Sequence, residues 1–248
     1  MNTVVSFENV GKAFGKEQAL VNQTFQVEKR SFTALIGNNG CGKTTTLNVL
    51  CNITNYDSGV VHIFGQRLTE RFVSYKNRVG IFLGTDYLIP ALTVVEYLQF
   101  VCKFQGVDPI DARHRIKDAL RFFELENDSG KRLKDLSSGT RVKVGLSGAM
   151  IHNPELLVLD EPFANLDIVT VSKLCDVLGT LKEKKTLIIT SHALEPVANL
   201  CDHYLVMDKG RIAHSVSADE FASAGDLVHS IKSMLSVRNN SSNLDWLK

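Results

Sequence analysis

These 248 residues contain no C-x-x-C pair, no run of basic residues, no internal repeat and no low-complexity tract. The five cysteines, Cys41, Cys51, Cys102, Cys175 and Cys201, are odd in number and scattered. That spacing excludes a disulfide framework and reads as reduced, mostly buried thiols of a cytosolic protein. Charge of one sign is also missing: 28 Lys and Arg stand against 27 Asp and Glu. With a net charge of +1, no global field recruits nucleic acid or anionic lipid, and no nucleic-acid partner is expected. The most apolar long stretch, residues 79–104, is broken by Asp86, Pro90 and Glu96, which excludes a membrane span there. The opening "MNTVVSFENV" lacks the basic and apolar regions of a signal peptide. Any membrane role has to come through a partner.

What is present is a chain long enough for a substantial core. Short β-branched runs punctuated by glycine fill the first third: "TVVSFENV", "ALVNQTFQVE", "FTALIG", "GVVHIFG" and "RVGIFL". From Thr93 to about Met150 the spacing turns helical, with Pro109 near one helix start. "ELLVLDEP", a helix near 169–184, "KTLIITSH" and "HYLVMDKGRIAHSV" then alternate strand and helix in the βαβ manner. Residues 218–236 have the spacing of an amphipathic helix through Phe221, Leu227, Val228, Ile231 and Leu235, and "NNSS" before Trp246 reads as a loose tail.

Three stretches carry chemistry. "FTALIGNNGCGKTTTLNVL" sets Gly37, Gly42, Lys43 and Thr44 in the G-x-x-x-x-G-K-[ST] pattern between an apolar strand and a helix. Glycines let such a loop turn its N–H groups inward onto phosphate oxygens. The helix N-terminus adds partial positive charge, Lys43 bridges the outer phosphates, and Thr44 can ligate Mg²⁺. "LLVLDEP" delivers Asp160 at a strand end, where it can hold a metal water shell, and next to it Glu161, placed to polarise a water. "DLSSGTRVK" brings two serines and a glycine to a helix start, a second place built to receive an anion. "LIITSHALEP" ends in Ser191 and His192; on spacing alone a structural histidine is the better reading.

Residues 3 to about 216 resemble the nucleotide-binding subunit of an ABC transporter, of the drug or bacteriocin export type. The phosphate loop Gly37, Asn38, Asn39, Gly40, Cys41, Gly42, Lys43, Thr44 and Thr45, the strand ending in Asp160 and Glu161, the "ANLD" turn ending in Asp167, and His192 stand in that family's order. The resemblance implies an α/β fold of the P-loop NTPase (RecA-like) class: a mixed sheet core, an N-terminal antiparallel β subdomain and an inserted helical subdomain. Its ATP-binding domain would span 1–217, with the insert about 86–152, followed by a C-terminal helix and tail at 218–248. It further implies ATP and Mg²⁺ as cofactors, with Thr44 and Asp160 on the metal. Glu161 would be the general base and His192 the γ-phosphate sensor, and Phe14 would stack on adenine, against the plainer reading of a core phenylalanine. "LSSGT" falls where the family has its signature motif, so Ser137 and Gly139 would contact ATP held by the opposite subunit. Two phosphate sites on one chain then serve one ATP when two copies, or this chain and a paralogous subunit, meet head to tail. A multi-spanning membrane permease is the other implied partner, with this chain peripheral on the cytoplasmic face.

Two departures stand out. Ser138 and Thr140 replace the family's usual glycine and glutamine in the signature. Gly84 falls where the family has the glutamine of its Q-loop, so Thr85 or Asp86 substitutes or hydrolysis is slow or partner-dependent. The apolar "TDYLIPALTVVEYLQFVCKF" is helix core for the most part; in the family this region forms a groove for a helix of the membrane subunit, which directs attention to Leu88 and Ile89. Competing readings are a soluble ATPase of this type acting on nucleic acid or ribosomes, and a regulatory module that binds ATP without hydrolysing it.

Overall fold

A computed structural model of the chain describes residues 2–236. In chain order the elements are β1 (Thr3–Phe14), β2 (Glu17–Glu28), β3 (Phe32–Gly37), α1 (Lys43–Leu50), β4 (Ser58–Ile63), β5 (Gln66–Arg67), β6 (Val79–Phe82), α2 (Val94–Phe104), α3 (Pro109–Phe122) and α4 (Ser138–Met150). They continue as β7 (Leu156–Leu159), α5 (Ile168–Thr180), β8 (Thr186–Ser191), α6 (Leu194–Ala198), β9 (His203–Asp208), β10 (Arg211–Ser217) and α7 (Ala224–Ser236).

Two sheets result. The first runs β2-β1-β4-β5 and is antiparallel throughout. β2 buries alternate residues while β1 buries Val4, Val5, Ser6 and Phe7 in succession, and Phe7 stacks on Phe25 across the β1/β2 pair at 4.5 Å between ring centroids. The second runs β10-β9-β3-β8-β7-β6, with every neighbour from β9 to β6 parallel and β10 antiparallel at the edge. Its central strands β3, β7 and β8 are buried along their whole length, which explains their continuous apolar runs. One hydrophobic cluster joins the first sheet to α1 and one face of the second sheet through Leu20, Leu35, Leu47 and Val158. The other lies on the opposite face, where Phe82, Leu98, Val144 and Leu159 pack together.

The helices α2, α3 and α4 sit between β6 and β7 in the chain. Thr93 starts α2 with a capping box to Glu96, and Asp108 caps α3 ahead of Pro109 at its first turn. Glycines let α4 lie close on β6: a Cβ on Gly145 would meet the Phe82 ring at 2.4 Å, and one on Gly80 would meet the Ala149 carbonyl oxygen at 2.0 Å. The helix expected near 169–184 stops at Thr180, where N–H groups of Leu181 and Lys182 tighten onto Leu178 and Gly179 and Glu183 turns to φ 63°. The helix expected from 218 is divided into a short 3₁₀ turn, Ala218–Glu220, and α7, because the Ser223 hydroxyl accepts from Asp226 N–H and opens a new helix. Leu227 and Ile231 of α7 are buried and Phe221, Val228 and Leu235 pack around them, as their spacing predicts. The "NNSS" tail and Trp246 lie outside the described residues. No helix among the described residues is long and apolar enough to cross a membrane.

The close approach of β6 to α4 is testable. Gly80→Ala is expected to cost about 3 kcal/mol of stability, the upper part of the range for overpacking, because its methyl meets backbone that cannot rotate away. Urea denaturation measures it, and an unchanged midpoint would disprove the close contact.

Candidate active site

The phosphate-type loop is built at the C-terminal end of β3. Gly40 and Gly42 adopt φ of 77° and 107°, a left-handed region that lets the backbone curl between strand and helix. Space also demands glycine, since a Cβ on Gly42 would lie 2.6 Å from the Ala19 carbonyl oxygen. Gly42 caps α1 without a side chain, so no hydroxyl or carboxylate of its own satisfies the first-turn N–H groups. Those donors and the helix dipole are suited to an anion.

A buried support fixes the loop from below. Gln23, fully buried on β2, accepts from the Thr46 hydroxyl at 3.0 Å and donates to the Gly210 carbonyl at 3.2 Å. Gly210 in turn donates to the Cys41 carbonyl, and Thr46 holds the Gly42 carbonyl through its N–H and hydroxyl. Sequence reasoning missed Gln23, although a signal exists: it occupies an inward slot of the strand alternation shared with Phe25 and Val27. Cys41 is buried and its thiol is pushed up by that burial, so it is a packing residue rather than a reactive one.

Lys43 is 7% exposed, and its ammonium donates to the carbonyls of Gly37 at 2.8 Å and Asn38 at 3.4 Å. The Glu161 carboxylate stands 3.8 Å away. Across the sheet, Asp160 leaves the end of β7 with both oxygens engaged. One accepts from the Thr44 hydroxyl at 2.8 Å; the other accepts a short bond from Thr190 at the end of β8. Thr190 also accepts the Glu161 N–H at 2.8 Å. This buried threonine is a second residue that sequence reasoning passed over; it follows the apolar run Leu187, Ile188 and Ile189 near the C-terminal end of its strand.

Glu161 itself has φ 45°, uncommon for a side-chain-bearing residue and a form of local strain typical of functional positions. Its Oε2 accepts from the His192 backbone at 3.2 Å and lies 2.7 Å from His192 Nδ1. His192 is therefore no packed core histidine: its side chain is 63% exposed and paired to the carboxylate. Beside this cluster opens a cavity of about 320 Å³ whose walls include Phe14, Lys43, Thr44, Thr45 and Glu161. Phe14 is 54% exposed at its rim, which rules out the core reading.

A divalent cation fits one point of this arrangement. Thr44 Oγ1 and Asp160 Oδ2 are 2.8 Å apart at the strand ends, two hard oxygens of the kind Mg²⁺ takes. No cluster of three or more His, Cys, Asp or Glu suited to a metal occurs among the described residues. A magnesium ion here would take most of its ligands from water and phosphate oxygens.

Ser137, Gly139 and Asp167 are not brought to the cavity around Lys43. Ser137 caps α4 by accepting from Thr140 N–H at 3.2 Å, and a Cβ on Gly139 would touch the Asn165 carbonyl at 2.6 Å. Asp167 caps α5 through Thr170, whose hydroxyl and N–H hold its carboxyl below the usual range. The start of α4 thus lies against the turn that leads into α5, and none of the three residues lines the cavity around Lys43. Gly84 has φ 110° and ψ 169°, a region that is essentially glycine-only, and Thr85 and Asp86 enter a 3₁₀ turn directly after it. A glutamine there could not keep this backbone, so the loop is shaped around the glycine.

Residues 20–164, more than half of the chain, match the family described as "ABC transporter". An "Uncharacterized ABC transporter ATP-binding protein MJ1023" of Methanocaldococcus jannaschii is 33% identical over 215 residues, covering 86% of this chain and 78% of the relative. A "Nod factor export ATP-binding protein I" of Burkholderia lata is 34% identical over 208 residues, covering 84% and 68%. Among solved structures, the dimeric cassette MJ0796 in a post-hydrolysis state bound to ADP and Pi superposes with a TM-score of 0.78 at 24% identity, over 86% of this chain and 98% of that one. The chain belongs to the ABC transporter family and is an ATP-binding cassette with ATPase activity.

The glycine at position 42 gives the site its sharpest test. Gly42→Ala combines a disfavoured φ with a collision on Ala19 and is expected to weaken ATP binding by at least about tenfold, the equivalent of 1.4 kcal/mol. Equilibrium titration with a fluorescent ATP analogue measures it; unchanged affinity would show that the loop does not hold the phosphates.

Proposed function

We propose that this chain binds and hydrolyses ATP between two copies, or between itself and a paralogous subunit, and drives export through a separate membrane-spanning partner on whose cytoplasmic face it sits. The observation that carries this reading is a division of groups: the cation Lys43, the carboxylates of Asp160 and Glu161 and the imidazole of His192 gather at one place, whereas the anion-receiving helix start with Ser137 and Gly139 does not line that cavity. One ATP needs both sets only when two chains face each other. Export is supported by the Nod factor relative, which is named for it.

In this reading the loop N–H groups and Lys43 hold the outer phosphate oxygens, and Phe14 offers its ring to the base. Magnesium, when bound at Thr44 and Asp160, supplies charge neutralisation at the phosphates. Glu161 takes a proton from the attacking water as the new P–O bond forms and the bond to the β-bridging oxygen breaks, leaving ADP with the electron pair. His192 orients that carboxylate through the 2.7 Å contact. Thr190 fixes the backbone of Glu161 and the carboxylate of Asp160 together. Gly84 offers no side chain to the water or metal, which favours slow or partner-dependent turnover; tens of turnovers per second by the purified chain alone would oppose that.

The structure changes which residue tests the membrane contact. Leu88 is 7% exposed and belongs to the core, so a charge there would disturb the fold itself. Tyr87 and Ile89 are exposed beside it. Ile89→Asp is expected to abolish co-purification with a multi-spanning membrane protein from solubilised native membranes while ATP binding persists. Unaltered co-purification would refute the docking surface, and a wild-type chain free of any membrane protein would refute the transporter reading. Glu161→Gln is expected to lower turnover by about 10²- to 10⁴-fold with ATP affinity retained. A fall below tenfold would remove Glu161 from the role of general base.

A further inference from the structure

A cavity of about 470 Å³ lies at the edge of the parallel sheet opposite the phosphate loop. Its walls come from residues at the starts of the strands whose other ends build the ATPase site. Lys29 and Arg30 precede β3, Arg78 immediately precedes β6, Glu155 immediately precedes β7, and Lys184 and Thr186 flank the start of β8. Four cationic residues and one acidic residue thus line the same cavity.

That carboxylate is already used. Arg78 holds Glu155 in a bidentate pair at 2.7 and 2.9 Å, and its guanidinium lies 3.7 Å from the centroid of the Phe64 ring. The pair fixes one wall and cancels one positive charge. Lys29, Arg30 and Lys184 form no ion pair among the described residues. At the floor, Thr186 is 2% exposed; its hydroxyl accepts the Arg30 N–H at 2.9 Å and gives its own proton to no described acceptor. Arg30 is held at φ 63°, a left-handed conformation that a side-chain-bearing residue adopts at a cost.

Three exposed cations that make no close ion pair stand with a buried hydroxyl donor around one cavity, and phosphate accepts from ammonium, guanidinium and hydroxyl at once. The small size of the cavity and the near-neutral chain do not suit an extended nucleic acid. We propose that this cavity is a second binding site, remote from the phosphate loop, for a small phosphate-bearing anion held by Lys29, Arg30 and Lys184 over the Thr186 hydroxyl.

The test uses the full chain carrying Lys43→Ala, which removes the ammonium of the phosphate loop, and inorganic pyrophosphate as the probe in calorimetric titration at low salt. One equivalent is expected to bind. Adding Arg30→Gly, which suits the left-handed backbone, together with Lys184→Gln is expected to weaken that binding roughly tenfold or more at unchanged melting temperature. Lys29→Gln alone, a surface change, is expected to weaken it by a smaller factor and serves should the double variant not fold. A parallel arm with vesicles of phosphatidylcholine and phosphatidic acid separates the sources: variant-sensitive binding of pyrophosphate assigns a soluble ligand, and variant-sensitive binding of vesicles alone assigns a lipid headgroup. Absence of both, or binding that the variants leave unchanged, would overturn the proposal.

Discussion

The carboxylate of Asp160 is the point on which the rest of the ATPase site depends. It accepts one hydroxyl from the start of α1 and another from the end of β8, and the second of these also holds the backbone of Glu161. Hydrogen bonds to a charged acceptor inside a protein contribute about 2 kcal/mol each, so the three elements cannot drift apart cheaply. The phosphate loop, the metal-type oxygens and the acid beside them are thereby fixed as one rigid group. Gln23 extends that group to the antiparallel sheet, so Phe14 on β1 keeps its position relative to Lys43.

Much of this was legible in the sequence, for a physical reason. A loop that must curl its N–H groups around phosphate needs glycines at fixed spacing, and a parallel strand that must deliver Asp160 has to be apolar until its last residue. The motifs are therefore local. Gln23 and Thr190 were not legible because what they do is set by partners far along the chain, Thr46 and Gly210 for one and Asp160 for the other. The end of α5 and the division before α7 were lost for a different cause. Glu183 and Ser223 act through backbone turning and capping, which apolar periodicity does not register.

The two faces of the parallel sheet edge also differ in kind. Where the strands end, hydroxyls and carboxylates are linked to one another and the cations are few. Where they begin, Lys29, Arg30, Arg78 and Lys184 line one cavity together with Glu155. A parallel sheet places all its strand ends on one side by construction, so each edge can be furnished separately from residues distant in sequence.

The hydroxyl pair at the start of α4 has a further effect. Ser137 Oγ and Thr140 Oγ1 stand 2.8 Å apart, and the serine oxygen already accepts the Thr140 N–H. Between the two oxygens one proton is shared, and either side can supply it. An incoming acceptor can therefore recruit the serine proton by hydroxyl rotation alone, with Thr140 turning its own proton inward to keep the pair closed. The threonine that departs from the family's glutamine gives this helix start a reversible polarity, switched without moving its backbone.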